Sequence, residues 1–67
     1  MGNKKSEVLA YIRANPGCTA SGVNRAVRND KSWADWIYTR EEIDALVREG
    51  KVEMREFRGI DVFYAVE

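Results

Sequence analysis

One stretch in the second half of the chain combines a helix start signal with an apolar stripe. Thr39 precedes Glu42 by three residues, the spacing of a capping box, in which both side chains accept hydrogen bonds from free amides at a helix start. Ile43, Leu46 and Val47 follow at positions i, i+3 and i+4, which places them on one side of a helix. We therefore predict a third helix that is capped by Thr39 and packs this stripe against the rest of the chain.

The predicted helix leads directly into a β-hairpin. Gly50 lies just past the apolar stripe, where a residue in the left-handed conformation commonly ends a helix. From Lys51 onward apolar and polar residues alternate, which is the period of a strand. The predicted cross-strand pairs are Val52 with Val66, Met54 with Tyr64 and Phe57 with Asp61. This register leaves residues 58–60 as a three-residue loop around Gly59.

Two helices in the first half of the chain provide the apolar surface that the hairpin needs, because a lone hairpin is only marginally stable. The first is predicted to run from about Ser6, as N-cap, to Asn15, where the following proline ends it. The second is predicted to begin at Thr19, with Ser21 as the alternative cap. Their buried stripes are predicted to be Val8, Leu9 and Ile12 in the first helix and Val23, Ala26 and Val27 in the second.

Residues 28–37 are predicted to form an insertion between helices two and three. Within it, Ser32 has the spacing to cap a single helical turn, with Asp35 completing the capping box. Trp33 and Trp36 have two interpretations. They pack over the edge of the core, as large aromatic side chains commonly do, or they form an exposed anchor for a partner protein.

Length and composition are those of one small globular domain. The chain has 67 residues, of which 45% are hydrophobic and 33% charged. We predict a single domain over residues 1–67, with residues 1–5 as a flexible tail. No apolar run is long enough for a membrane span or for the core of a signal peptide, so we expect a cytoplasmic protein.

The inventory of residues disfavours catalysis and metal binding. The chain contains no histidine, which is the usual general base and the commonest ligand of transition metals. Its one cysteine, Cys18, can form neither an internal disulfide nor a structural zinc site. A domain of this size also has little room for a deep pocket. We expect no enzymatic activity, no catalytic residue, no metal site and no cofactor.

The formal net charge is zero, but the charges are unevenly distributed. Residues 1–32 carry six basic and two acidic side chains, giving +4, and residues 33–67 carry five basic and nine acidic side chains, giving −4. An anionic partner is therefore expected to meet chiefly the first half of the chain.

Two segments together resemble the winged helix-turn-helix family. Residues 15–21, Asn-Pro-Gly-Cys-Thr-Ala-Ser, join helices one and two, and residues 39–52 lead through helix three into the hairpin. The resemblance covers nearly the whole chain. It implies an α+β fold in which three helices are followed by a two-stranded antiparallel wing.

The resemblance also implies binding to double-stranded DNA, with helix three in the major groove and the wing against the backbone or the minor groove. It implies that the start of helix two contacts a phosphate through hydroxyls and amides, and that arginines contact phosphates or read guanine. The nucleic-acid-binding residues that it implies are Thr19, Ser21, Arg25, Arg28, Lys31, Arg40, Arg48 and Arg58.

Two functions are consistent with these observations. The first is a small DNA-binding transcriptional regulator of bacterial or phage type. One small domain reads few base pairs, so tight binding is expected to need a homodimer or a second domain. The alternative is a winged-helix module that binds another protein through Trp33 and Trp36 or through the acidic surface of helix three. The zero net charge and the acidic residues Glu41 and Asp44 motivate the alternative.

Overall fold

Three helices and two strands follow one another along the chain. The computed structural model describes residues 4–28 and 33–66. The elements are α1 over Lys5–Ala14, α2 over Ala20–Arg28, α3 over Trp33–Arg48, β1 over Val52–Phe57 and β2 over Ile60–Ala65. The strands form one antiparallel sheet, so the predicted α+β class is confirmed, with a layout consistent with a winged-helix arrangement.

The first two helices differ from the prediction in details of their ends. Lys4 occupies the N-cap position of α1 without a side-chain capping bond, and Ser6 lies exposed inside the helix, so the predicted Ser6 cap is wrong. Thr19 caps α2 as predicted, because its Oγ1 accepts a hydrogen bond from the Gly22 N–H at 3.2 Å. In α2 the residue that turns inward beside Val23 is Asn24, whereas Ala26 is exposed.

Helix α3 begins at Trp33, seven residues before Arg40, the first helical residue after the predicted Thr39 cap. The predicted insertion over residues 28–37 is wrong at both ends, because Arg28 is the last residue of α2 and residues 33–37 belong to α3. No glycine or proline interrupts residues 33–38, so nothing stops the helix from extending toward its N-terminus. The central part of the predicted insertion, including Lys31 and the proposed cap Ser32, lies outside the described residues.

Thr39 therefore does not cap a helix but lies buried inside one. It continues the inward side of α3, since Thr39, Ile43 and Leu46 are spaced by four and three residues and all three are buried. Val47 is partly buried against the same core. The prediction that Ile43, Leu46 and Val47 turn inward is confirmed.

The hairpin forms, but its register is shifted by one residue from the predicted one. The observed pairs are Val52–Ala65, Glu53–Tyr64, Met54–Phe63, Arg55–Val62, Glu56–Asp61 and Phe57–Ile60. The loop accordingly contains two residues, Arg58 and Gly59, both with positive φ, at 53° and 82°. This is the conformation of a tight hairpin turn whose twist matches that of the strands.

Packing explains why this register is adopted. It turns Phe63 into the core, where it is 1% exposed, and turns Tyr64 to the other side of the sheet. Tyr64 is half-buried, and its hydroxyl lies beside Gly17. A Cβ built on Gly17 would be 3.4 Å from that hydroxyl oxygen. Phe63 also pairs its backbone with the residues before α2, because its N–H bonds to the Cys18 carbonyl and its carbonyl accepts from the Gly17 N–H, both at 2.9 Å.

The core lies where α1, α2, α3 and the base of the hairpin meet. Its fully buried apolar side chains come from all five elements, which are thereby held in one unit. They are Val8, Ile12, Ala20, Val23, Ile43, Leu46, Val52 and Phe63.

Candidate nucleic-acid interface

A buried polar cluster joins α2 to α3. Arg28 donates from Nη1 and Nη2 to the two carboxylate oxygens of Glu42, each at 2.8 Å, and Nη1 also donates to Thr39 Oγ1 at 2.9 Å. Thr39 donates in turn to Asn24 Oδ1 at 2.9 Å. The Lys4 backbone N–H also donates a hydrogen bond to Glu42 Oε2, at 2.8 Å. We call Asn24, Arg28, Thr39 and Glu42 the junction cluster.

The electrostatics of the junction cluster follow from its burial. The side chains of Arg28 and Glu42 are only 8% and 11% exposed, so their charges are poorly screened by water. Burial by itself raises the pKa of Glu42, but the hydrogen bonds from Arg28 and from Lys4, together with the Arg28 charge, outweigh it and hold this pKa below its ordinary value. The same hydrogen bond to Glu42 raises the pKa of Arg28. Both groups are therefore charged in the folded protein at neutral pH.

The junction cluster includes one predicted site residue. Arg28 was expected to contact phosphate, but its guanidinium is committed to Glu42 and Thr39 and is largely removed from solvent. Its role is to fix α3 relative to α2, because a bidentate arginine–carboxylate pair restrains both distance and orientation. Arg28 thus belongs to the junction cluster, and its predicted phosphate contact stays a prediction.

The acidic character of α3 is smaller in the fold than in the sequence. Glu42 is neutralised by Arg28, and Glu49, just past the helix, pairs with Lys5 and lies 3.7 Å from Lys51. The hydrogen bond from Lys5 is the main reason that the pKa of Glu49 lies below its ordinary value. At least two of the five carboxylates within residues 33–49 therefore have basic partners from elsewhere in the chain.

The outward side of α3 carries charges of both signs. Glu41, Asp44 and Arg48 are exposed and spaced by three and four residues, so they form one stripe opposite the buried side. Arg40 lies beside this stripe and stacks its guanidinium over the Trp36 ring, 5.4 Å from the ring centroid. The predicted residues Arg40 and Arg48 are both accessible, although Arg40 is partly engaged by the indole.

The start of α2 presents the predicted hydroxyl side chains. Ser21 is exposed at the first turn, and Thr19 is half-buried because its hydroxyl caps the helix. Arg25 is exposed one turn later on the same helix. Since Thr19 is occupied by its capping bond, Ser21 and Arg25 are the residues of α2 best able to contact a ligand.

The tip of the wing is both basic and apolar. Arg58 is exposed in the turn, with its guanidinium 5.3 Å from the centroid of the Phe57 ring. Further along the same side of the sheet, Arg55 lies 4.9 Å from the Tyr64 ring centroid and pairs with Glu53 at 3.1 Å. Arg55 lies on this outer side of the wing and was not among the predicted site residues.

Three exposed apolar side chains lie in the first half of α3. Trp36, Ile37 and Tyr38 are consecutive and are 38%, 37% and 56% exposed. The prediction that Trp36 is available to a partner is consistent with this exposure. Trp33 is the first residue of α3, and its side chain lies outside the described part of the chain.

Sequence reasoning missed the buried roles of Asn24, Thr39 and Glu42. A signal was present for two of them, because Asn24 lies four residues after Ala20 and Thr39 lies four residues before Ile43, both on apolar stripes. A polar residue at such a position needs a buried partner. Lys31, the remaining predicted contact, lies outside the described residues.

Comparisons with models of protein families, with curated proteins and with solved structures each find no match to this chain. Across residues 4–28 and 33–66, no helix is both long and apolar enough to cross a membrane. The same residues include no group of three or more Cys, Asp or Glu side chains arranged to hold a metal ion.

Proposed function

We propose that this chain is a small DNA-binding regulator of bacterial or phage type that contacts duplex DNA through the outer side of α3, the start of α2 and the wing. The observation that carries the proposal is the pairing of Glu42 with Arg28 and of Glu49 with Lys5. These pairs remove two negative charges from the region of α3 that would face phosphate.

The orientation of α3 supports the same function. The junction cluster fixes α3 against α2, and the wing follows α3 after a three-residue connection, residues 49–51. A rigid helix with a projecting wing presents two fixed contacts to a groove and its backbone. The exposed cations along this path are Arg25 on α2, Arg48 on α3 and Arg58 at the wing tip.

A titration of labelled duplex DNA of mixed sequence at several salt concentrations tests the proposal. We expect affinity to fall as salt rises, because binding to phosphates releases counterions with a log–log slope of about −0.9 per neutralised phosphate. Arg48→Ala and Arg58→Ala are each expected to weaken binding and to reduce the magnitude of the slope by about one.

Arg13→Ala is the matched control, since it removes the same charge from an exposed position on α1. It is expected to leave the slope unchanged. Absence of binding at low salt, or binding that does not respond to salt, contradicts DNA recognition by this surface.

A second candidate function is a protein-interaction module, which the exposure of Trp36, Ile37 and Tyr38 favours. Capture from a host lysate with immobilised protein distinguishes the two functions. If the chain is a protein-interaction module, the Tyr38→Ala variant is expected to lose a partner protein that the wild type and the Arg48→Ala variant both retain. Equal retention by all three forms contradicts a binding role for Tyr38.

A further inference from the structure

The outer edge of β1 is an open strand edge. Phe63 uses its N–H and carbonyl to bond Cys18 and Gly17, so it makes no ladder bond to Met54, the residue paired with it in β1. In an antiparallel ladder the groups of such a pair point away from each other, so the N–H and carbonyl of Met54 point to the opposite edge. The two-residue period extends this direction to Val52 and Glu56, of which Glu56 is exposed and Val52 is only 2% exposed. Within the described residues the sheet has only two strands, β1 and β2, so this edge has no strand partner.

The side chains along this edge are self-complementary about Met54. Glu53 and Arg55 flank it on the outer side of the sheet, and both are at least half exposed. If a second β1 lies antiparallel with Met54 opposite Met54, Glu53 of each copy lies opposite Arg55 of the other. Opposite charges directly across an antiparallel ladder stabilise the pairing.

The same charges disfavour the neighbouring registers. Outward-pointing backbone groups recur every second residue, so the nearest symmetric alternatives are centred on Glu53 or on Arg55. The first places Glu53 opposite Glu53 and Arg55 opposite Lys51, and the second places Arg55 opposite Arg55. Like charges directly opposite each other are destabilising, so the register centred on Met54 is selected.

We propose that β1 pairs antiparallel with β1 of a second copy of this chain, centred on Met54, and joins the two hairpins into one four-stranded sheet. In this arrangement Met54 bonds Met54 of the second copy through both backbone groups. The Met54 side chain, 50% exposed in a single copy, is covered by its equivalent. The edge that is open in one copy becomes a paired interior strand.

The surroundings of the edge accommodate the second copy. The wing tip of one chain passes Lys51 and Gly50 of the other, and both of these residues are exposed. A Cβ built at Gly50 meets nothing within 4 Å, so the path beside it is open.

This dimer goes beyond the proposed DNA-binding function and does not depend on it. Its basis is the backbone of β1 and two charges on the outer side of the wing, whereas the DNA contacts were assigned to Arg25, Arg48 and Arg58. The tests therefore read the association of the protein in the absence of DNA.

Sedimentation equilibrium over a range of concentrations measures the dimer dissociation constant. Glu53→Arg and Arg55→Glu are each expected to raise that constant at least about tenfold, because each change places two like-charged pairs across the axis. The double substitution Glu53→Arg with Arg55→Glu is expected to restore the wild-type value. A wild type that stays monomeric up to millimolar concentration overturns the proposal, and so does a double variant that remains as weak as the single ones.

Disulfide trapping tests the register itself. In a Cys18→Ser background, Met54→Cys places two thiols across the two-fold axis, where the Cα atoms of a hydrogen-bonded pair lie about 5.5 Å apart, within disulfide reach. Oxidation is expected to give a covalent dimer. Glu56→Cys is the matched control, because residue 56 faces residue 52 of the second copy. Equal trapping of the two variants, or none with Met54→Cys, overturns the Met54-centred pairing.

Discussion

The junction of α2 and α3 and the hairpin satisfy their polar groups in opposite ways. At the junction, Arg28 donates to both Thr39 and Glu42 largely out of water. No buried side-chain nitrogen or oxygen in the described part of the chain lacks a hydrogen-bond partner. In the hairpin only Val52 and Phe63 are buried, and the outer backbone edge of β1 is open. The polar groups of the junction are therefore satisfied within the fold. The hairpin is packed into the core only at its base, and the rest of it is exposed.

This difference indicates how so small a domain holds a fixed recognition surface. A 67-residue chain buries a limited core, so a satisfied polar cluster adds orientation where apolar packing alone gives little. The hairpin does not need the same rigidity along its whole length, because its base is held by Phe63. Exposed strand and turn residues then remain free to meet another molecule.

The largest expected effect separates the base of the hairpin from its tip. Phe63→Ala removes a fully buried ring and is expected to lower the free energy of unfolding by roughly 3–5 kcal/mol, enough to unfold much of a domain of this size. Phe57→Ala, in the same hairpin but 61% exposed, is expected to change it by less than about 0.5 kcal/mol. Urea denaturation followed by circular dichroism measures both. Similar losses for the two variants contradict a hairpin anchored only at its base.

The next largest effect is expected at the junction cluster. Glu42→Gln leaves the Arg28 guanidinium without a charged partner in a site from which water is largely excluded, and is expected to cost about 3 kcal/mol of unfolding free energy. Glu41→Gln, one residue earlier and exposed, is the matched control and is expected to stay within about 0.5 kcal/mol of the wild type. Two variants of equal stability contradict a structural role for the Arg28–Glu42 pair.

The pH dependence of stability sharpens the same comparison. The pKa of Glu42 in the folded protein lies below its ordinary value of 4.5, so folding favours the charged form. Its contribution is therefore complete above the unfolded pKa and is lost as the pH falls through the folded pKa. Below about pH 4.5 the unfolding free energy of the wild type is expected to decrease toward that of Glu42→Gln.

Salt separates this contribution from that of Glu49, whose pKa is also lowered but which is exposed at the surface. At high salt the Glu49–Lys5 pair is screened, whereas the largely buried Glu42 is screened much less. The measurement is the unfolding free energy from urea denaturation at high salt, at a series of acidic pH values. A wild type and a Glu42→Gln variant with parallel pH profiles exclude Glu42 as the group responsible.

The smallest expected effects lie in the hairpin turn. Gly59 has a φ of 82°, so Gly59→Ala is expected to destabilise the protein by roughly 1–2 kcal/mol. Arg58 also has a positive φ, and Arg58→Asn is expected to stabilise the turn by about 0.5 kcal/mol, since asparagine tolerates this conformation better. Thermal unfolding of both variants shows whether each substitution raises or lowers the stability of the protein. A stabilising Gly59→Ala contradicts the two-residue turn.

The helices were predictable from the sequence where apolar spacing alone determines them. Ile43 and Leu46 turn inward as predicted, and Thr19 caps α2 as predicted. The start of α3 was not predictable from the capping signal at Thr39, because the same threonine spacing fits a cap and a buried position four residues before Ile43. Its buried partners, Asn24 and Arg28, are brought to it by tertiary packing, and local sequence does not reveal them.

The strand register shows the same limit. Both sets of alternate residues in the second strand are apolar, Val62, Tyr64 and Val66 on one side and Phe63 and Ala65 on the other. The two-residue period therefore does not determine which side faces the core. The choice is made by the volume available for Phe63 and by its backbone bonds to Cys18 and Gly17, which are distant in sequence. The pairing of Arg28 was not predictable for a related reason, since its partner Glu42 is on another helix.

Residue-resolved hydrogen exchange on dilute protein tests the contrast between the closed junction and the open strand edge most directly. We expect the amides of Asn24 and Ile43 to exchange only when the whole domain unfolds. The amides of Met54 and Glu56, which point away from β2, are expected to exchange orders of magnitude faster than that of Arg55 between them. Exchange at Asn24 and Ile43 as fast as at Met54, or equal protection along all of β1, contradicts this division of the molecule.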